Sequence, residues 1–284
     1  MTLTLTPDYP LSKHTWLGVG GKADFFCVVE NLDDLKKILK TNAYPITLLG
    51  AGSNILIRDG GIEGVVLKLG KDFQKIEVKN DTLICGAGVR LSEIAKVALE
   101  NELSGFEFMA DIPGTLGGGL ASNAGAFGRA LNDCLIQINA LTFDGSEKIY
   151  TDFSNWGYRY NPISNMIFTG AVLKASGKSK KEQIQSVMDD YHQRRKATQP
   201  QGIRTAGSTF KNPKGQSAGF LLEKCGLKGY KENGAEMSAV HANFLVNRGA
   251  SGNQLEDFVL WVQKQVFTKQ GVHLEMEIKC LGRR

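Results

Sequence analysis

Three stretches rich in small residues stand out in the first half of the chain: Gly50-Ala51-Gly52-Ser53-Asn54, Ile112-Pro113-Gly114-Thr115-Leu116-Gly117-Gly118-Gly119 and Asn123-Ala124-Gly125-Ala126-Phe127-Gly128. Backbone N–H groups in such segments can surround the oxygens of a diphosphate, because few bulky side chains keep the ligand away. Three separated polar residues, Arg159, Ser208 and Glu277, add a cation, a hydroxyl and a carboxylate. Together they describe a phosphate-bearing cofactor held beside groups for acid–base work. One such loop alone is ordinarily a tight turn; three shift the balance towards a cofactor.

The usual nucleotide motifs do not account for these loops. Gly50-Ala51-Gly52-Ser53-Asn54-Ile55 and Gly86-Ala87-Gly88-Val89-Arg90-Leu91 both lack the third glycine of the dinucleotide fingerprint. Ile55-Leu56-Ile57 reads as a strand, so no helix start follows Gly50 to receive a pyrophosphate. There is no Walker pattern either.

In Gly207-Ser208-Thr209-Phe210-Lys211-Asn212-Pro213 the serine lies between a glycine and a small residue, which exposes its hydroxyl. Lys211 and Asn212 follow as ligands for an anion and a neighbouring polar group. Without a G-x-S-x-G elbow a serine hydrolase is not indicated, and the same serine could simply cap a turn. Glu275 and Glu277 alternate with Leu274, Met276 and Ile278, so a period of two puts both carboxylates on one face of a strand. A solvated strand edge would look the same. Arg159 between Tyr158 and Tyr160 reads equally as a ligand cation or a surface cation packed by aromatic rings.

The elements that must position these groups follow from hydrophobic spacing. Residues 24–30 read as a strand, Leu32 to Lys40 as a helix, and 45–49, 55–57 and 65–67 as strands, which places the Gly50 loop at a strand's carboxyl end, a favoured place for a ligand. Asn80-Asp81 and Asp144-Gly145 mark hairpins between 75–79 and 82–85 and between 135–143 and 147–151. Helices are predicted at 91–102, 179–196, 218–225 and 253–270, and strands at 167–175, 243–247 and 273–281. The segments 112–119 and 123–128 read as loops, and 197–207 as a linker.

The bulk numbers set limits. A chain of 284 residues with 42% hydrophobic content can build two or three cores. No apolar run reaches the roughly 18 residues of a membrane span, and Met1 to Leu11 does not read as a signal peptide. The net charge of +5 is not gathered into an aromatic-lined basic patch, so nucleic acid is not an expected partner. Cys27, Cys85, Cys134, Cys225 and Cys280 are widely spaced and set mostly in apolar runs, which predicts reduced thiols in a cytoplasmic protein, with no disulfide framework and no metal site.

Taken in order and spacing, the pieces resemble the UDP-N-acetylenolpyruvoylglucosamine reductase family. They are Thr15-Trp16-Leu17-Gly18-Val19-Gly20-Gly21, Gly50 to Asn54, Ile112-Pro113-Gly114, Gly117-Gly118, Asn123-Ala124-Gly125, Tyr158-Arg159, Gly207-Ser208 with Phe210 to Pro213, Ala218-Gly219, His241-Ala242-Asn243-Phe244 and Leu274 to Glu277. The resemblance runs from about His14 to Gly282. Only Tyr160 to Met166 separates Arg159 from the strand at Ile167, which leaves no room for the tyrosine-bearing insertion of one family type and matches the shorter, second type. His14, Phe127, Asn161 and Asn233 depart from the family's usual residues.

The resemblance implies an α+β chain with an FAD-binding fold of the vanillyl-alcohol-oxidase (PCMH) type. Its parts would be two FAD-binding subdomains, residues 1–70 and 71–197, and a C-terminal α+β substrate-binding domain, residues 198–284. It implies FAD and NADPH as cofactors and a UDP-sugar enolpyruvate as substrate; a monomer is expected. FAD would lie against Gly50, Ala51, Gly52, Ser53, Asn54, Gly114, Thr115, Gly117, Gly118, Asn123, Ala124 and Gly125. Lys211 and Asn212 would bind substrate. Ser208 would protonate the substrate's α carbon, Arg159 stabilise charge at its carboxylate and Glu277 orient it. An FAD oxidase or dehydrogenase of the same fold is the competing expectation, since fold alone does not fix the reaction.

Overall fold

A computed structural model of the chain describes residues 3–41 and 43–284 and divides into two compact units. The first holds Cys27–Ala51 and Val66–Arg194 with the N-terminal residues to Leu5; the second holds Thr6–Phe26, Gly52–Val65 and Arg195–Arg284. The strands Lys22–Val29 and Ile62–Leu69 are each divided between the units.

The first unit is built on a five-stranded antiparallel sheet of order Glu147–Tyr150, Leu135–Thr142, Met166–Lys174, Thr82–Gly86, Ile76–Lys79. Both expected hairpins are present, with Asn80 and Gly145 at positive φ in the turns. Helix α1 (Leu32–Thr41) buries Leu35, Ile38 and Leu39, and the Asn31 side chain accepts the Asp34 N–H at its start. Helix α2 (Leu91–Glu100) buries Leu91, Ile94, Ala95 and Ala98 in the core that also holds Phe106, Phe108 and Leu173.

Helix α3 (Leu116–Ser122) replaces most of the loop read from Gly117-Gly118-Gly119. Three internal glycines cost about 1 kcal/mol each relative to alanine. Leu116 and Leu120, one helical turn apart, are both fully buried, and each contributes about 1.5–3 kcal/mol. The Thr115 hydroxyl caps the helix by accepting the Gly118 N–H at 3.3 Å. Helix α4 (Lys181–Thr198) starts in the first unit and ends in the second.

The second unit carries an antiparallel sheet of order Thr205–Ser208, Phe244–Asn247, Ala235–Met237, Lys231–Glu232. Helices α5 (Ala218–Lys224) and α6 (Gly252–Gln270) pack into its core, where Leu222, Leu245, Leu255 and Val262 are fully buried. Lys279–Leu281 pairs in parallel with Ile55–Ile57.

The long last strand predicted over 273–281 is shorter than that. Only Lys279–Leu281 is strand, and residues 274–278 touch the 209–211 segment through a single Phe210–Met276 bridge. The ladder stops because Asn212 turns the chain, accepting the Ala218 N–H on its side-chain oxygen, and Pro213 has no N–H to donate. The alternation survives: Leu274 and Ile278 are buried while Glu275 is exposed.

Cys27, Cys85, Cys134 and Cys225 are buried and Cys280 half-buried, all as free thiols. Burial pushes the Cys85 and Cys134 thiols up to about 12, so neither serves as a nucleophile. Among the described residues no helix is long and apolar enough to cross a membrane, and no group of three His, Cys, Asp or Glu is arranged to hold a metal ion.

Candidate active site

In the first unit the Gly50 turn meets the start of α3. A Cβ on Gly50 would stand 2.8 Å from the Thr115 hydroxyl oxygen, and one on Gly117 would stand 3.1 Å from the Ala87 Cβ. These two glycines are therefore fixed by close packing. Gly118 differs: a Cβ there would meet only the Thr115 hydroxyl, at 3.5 Å, and the residue is exposed. The result is a wall of bare backbone open to a ligand, which is what close approach by a diphosphate requires. Leu91 and Leu116 tie this wall to the core, donating their N–H groups to Gly114 and Val89. These residues fit a dinucleotide cofactor.

Asn123 ends α3 in the left-handed region, at φ 45°. Its buried side chain donates to the Gly157 carbonyl at 2.8 Å and to the Asn132 side chain at 2.9 Å. Only its backbone is left to face a cofactor. Ala124 donates to the Gly119 carbonyl at 2.8 Å, and Gly125 has no room for a Cβ, which would fall 2.3 Å from the Arg129 carbonyl oxygen.

Arg159, also in the first unit, sits in a tight turn. Gly157 and Tyr160 exchange both backbone hydrogen bonds, at 3.2 and 3.1 Å, and Arg159 has φ 51° between them. That position normally takes Gly or Asn; for an arginine it costs about 1–2 kcal/mol. The guanidinium lies 5.4 Å from the centre of the Tyr158 ring. Strain of this kind is found where a side chain must be presented in a fixed direction.

The second unit brings Ser208, Glu277, Lys211 and Asn212 onto one frame. A bulge between Thr205 and Ser208 carries Gly207 at φ 73°, with nothing within 4 Å of where its Cβ would be. Glycine is needed there for conformation, and the bulge turns the half-buried Ser208 at the strand end. Thr209, fully buried, accepts the Glu277 N–H on its carbonyl at 2.8 Å. Lys211 donates its N–H to the Glu275 carbonyl at 2.8 Å, and its ammonium pairs with the Glu275 carboxylate at 2.6 Å. On the other side, the Asn243 side chain accepts the Phe210 N–H at 3.0 Å and donates to the Phe210 carbonyl at 2.8 Å. Asn243 is a residue that sequence reasoning passed over as a functional group; its only signal was its place in His241-Ala242-Asn243-Phe244.

Gly52, Ser53 and Asn54 also belong to this unit. A Cβ on Gly52 would collide with the His14 carbonyl at 1.9 Å, and Gly52 itself accepts the Trp16 N–H at 3.1 Å. The Asn54 side chain donates to the Glu277 carbonyl at 3.1 Å, and its own carbonyl accepts the Lys279 N–H at 3.1 Å. The loop read as a cofactor cradle thus also fixes the chain around Glu277.

Comparison with known proteins matches two regions of the chain, the first of which takes in segments of both units. Residues 23–149 match a model described as an FAD binding domain. Residues 199–281 match the C-terminal domain of UDP-N-acetylenolpyruvoylglucosamine reductase. The reductase of that name from Rickettsia massiliae is 45% identical over 282 residues, covering 97% of this chain and 95% of the relative. That from Rickettsia akari is 44% identical over 281 residues, with the same shares. The crystal structure of UDP-N-acetylenolpyruvylglucosamine reductase from Thermus caldophilus superposes with a TM-score of 0.85 at 33% identity, covering 99% of this chain and 100% of that one.

Proposed function

The chain belongs to the UDP-N-acetylenolpyruvoylglucosamine reductase family, and on that basis we propose how its residues share the work. It is an FAD-dependent oxidoreductase of peptidoglycan precursor synthesis, with an FAD-binding fold of the vanillyl-alcohol-oxidase type. Its reaction is the reduction of UDP-N-acetylglucosamine enolpyruvate to UDP-N-acetylmuramate, with NADPH proposed as the electron donor.

FAD held by these residues would supply the hydride chemistry needed to reduce the vinyl carbon β to the substrate carboxylate. The protein supplies the rest. Arg159, always protonated and planar, stabilises the negative charge that grows at the carboxylate. The Ser208 hydroxyl gives the proton that completes the α carbon. Glu277 orients the enolpyruvyl end, and Lys211 meets an anionic group of the substrate. The bare backbone of Gly50, Ala51, Gly114, Thr115, Gly117, Gly118, Asn123, Ala124 and Gly125 is assigned to FAD, with Gly52, Ser53 and Asn54. Asn212 serves substrate binding through the turn it shapes before α5.

The observation that carries this division is the frame in the second unit, which places Ser208 and Glu277 on adjoining hydrogen-bonded segments. Residues 1–70 and 71–197 are assigned to FAD and 198–284 to substrate; the regions matched at 23–149 and 199–281 support the division near residue 198. The enzyme is proposed to act in the cytoplasm as a monomer. The test is direct. Purified protein should be yellow, NADPH should bleach the flavin absorbance, and the enolpyruvyl sugar nucleotide should restore it with turnover. A yellow protein that NADPH cannot bleach would favour an oxidase of the same fold.

A further inference from the structure

The first unit ties its glycine-rich helix to both flanks of the Arg159 turn. Ahead of the turn, the Asn123 side chain, 1% exposed, donates to the carbonyl of Gly157. Behind it, the Asn161 side chain donates to the carbonyl of Leu120 in α3 at 2.8 Å, while its oxygen accepts the Ile163 N–H at 2.7 Å. Gly157 and Tyr160, the residues these ties flank, close the turn on each other. The turn holds an arginine at φ 51°, a conformation it would readily leave if free. Two amide bonds to one helix, one on each side, over-determine that conformation.

We infer that Asn161 and Asn123 are positioning residues that hold Arg159 in its left-handed conformation by fastening the turn to α3. The helix whose backbone is assigned to the cofactor then also fixes the direction of the arginine. This inference rests on the role proposed for Arg159. Both asparagine side chains are engaged with the protein itself, Asn123 with Gly157 and Asn132 and Asn161 with Leu120 and Ile163, and they act through the turn. The expected signature is loss in the substrate half-reaction alone, because the arginine is needed only when charge develops on the enolpyruvyl group.

The experiment is a double-mutant cycle on the flavin-loaded enzyme. Asn161→Asp keeps the acceptor for Ile163 and removes the donor to Leu120; Asn161→Ala removes both. Each is made in the parent and in an Arg159→Ala background. Flavin content, melting temperature and the two half-reactions are followed separately by rapid-mixing absorbance. In the parent, Asn161→Asp should slow reoxidation by substrate about tenfold, within the range for coupled neighbours, and leave reduction by NADPH and flavin content unchanged. In the Arg159→Ala background neither change should slow reoxidation further. An equal loss in both backgrounds would show that Asn161 acts independently of Arg159 and overturn the inference. So would an unchanged rate in the parent. Loss of flavin or of a cooperative melting transition in both Asn161 variants would also overturn it, making the residue one of fold alone. Normal turnover by Arg159→Ala itself would instead remove the role proposed for the arginine.

Discussion

Glu277 donates its backbone N–H to the carbonyl oxygen of Thr209, the residue next to Ser208, at 2.8 Å. That bond belongs to a bridge only one residue pair long, between Phe210 and Met276. It is nevertheless held from both sides. Asn243 clamps Phe210 through two side-chain bonds, and Asn54 holds the Glu277 carbonyl. Backbone pairing of this kind fixes the segments that carry the hydroxyl and the carboxylate relative to each other, which suits two groups serving one substrate.

Gly118 separates cofactor binding from folding more cleanly than any other loop residue. Its Cβ direction is open apart from the Thr115 hydroxyl at 3.5 Å, and it lies inside α3. Gly118→Ala should therefore raise the melting temperature of the flavin-free protein, since alanine favours a helix over glycine by about 1 kcal/mol. The same methyl should weaken FAD binding about tenfold, or 1.4 kcal/mol. Flavin titration followed by fluorescence, beside a melting curve, reads both. Unchanged affinity would make the α3 glycines structural. Gly52 is unsuited to this test, because its Cβ would strike the His14 carbonyl.

Lys211 is paired with Glu275, whose side chain is 70% exposed. An exposed pair of this kind adds at most about 1 kcal/mol to stability, so Glu275→Gln should melt near the parent and leave Lys211 available to an anion. Lys211→Met should raise KM for the UDP-sugar substrate by about 10–100-fold, the worth of a charged hydrogen bond. Its kcat should stay close to the parent value. A fall in kcat with constant KM would place Lys211 in the chemical step instead.

Much of this was legible in the sequence. The hairpins at Asn80-Asp81 and Asp144-Gly145, the Gly50 turn behind a strand and helix α6 all follow from local turn chemistry and apolar spacing. Two segments were not. Gly117-Gly118-Gly119 has the composition of a loop, and only the burial of Leu116 and Leu120 makes it a helix. Residues 274–278 have the alternation of a strand, but Asn212 and Pro213 on the neighbouring segment end the ladder. Both are tertiary effects that no local pattern carries. The site was harder still: the type of Asn123 and Asn54 suggests cofactor contacts, whereas their side chains reach the Arg159 turn and Glu277.

Acid should weaken the second unit in part through Glu256. Its buried carboxylate takes two bonds from Arg58, at 2.7 and 2.6 Å, and one from Arg284 at 3.1 Å. The hydrogen bonds from Arg58, foremost, hold its pKa below the ordinary 4.5. A depressed carboxyl stabilises the fold above its unfolded value and loses that contribution as pH falls through the folded value. The melting temperature should therefore drop as pH goes below about 5, and more shallowly in Glu256→Gln, which starts lower at neutral pH. Parallel slopes for parent and variant would remove Glu256 as the source.

Supply of the α-carbon proton by Ser208 is tested by Ser208→Ala in rapid-mixing experiments that follow flavin absorbance for each half-reaction. NADPH should bleach the variant's flavin at nearly the parent rate. Recovery with the enolpyruvyl sugar nucleotide should be slower by about 10²–10⁴-fold, the usual share of a general acid. Recovery at the parent rate, or slow bleaching with normal recovery, would contradict it.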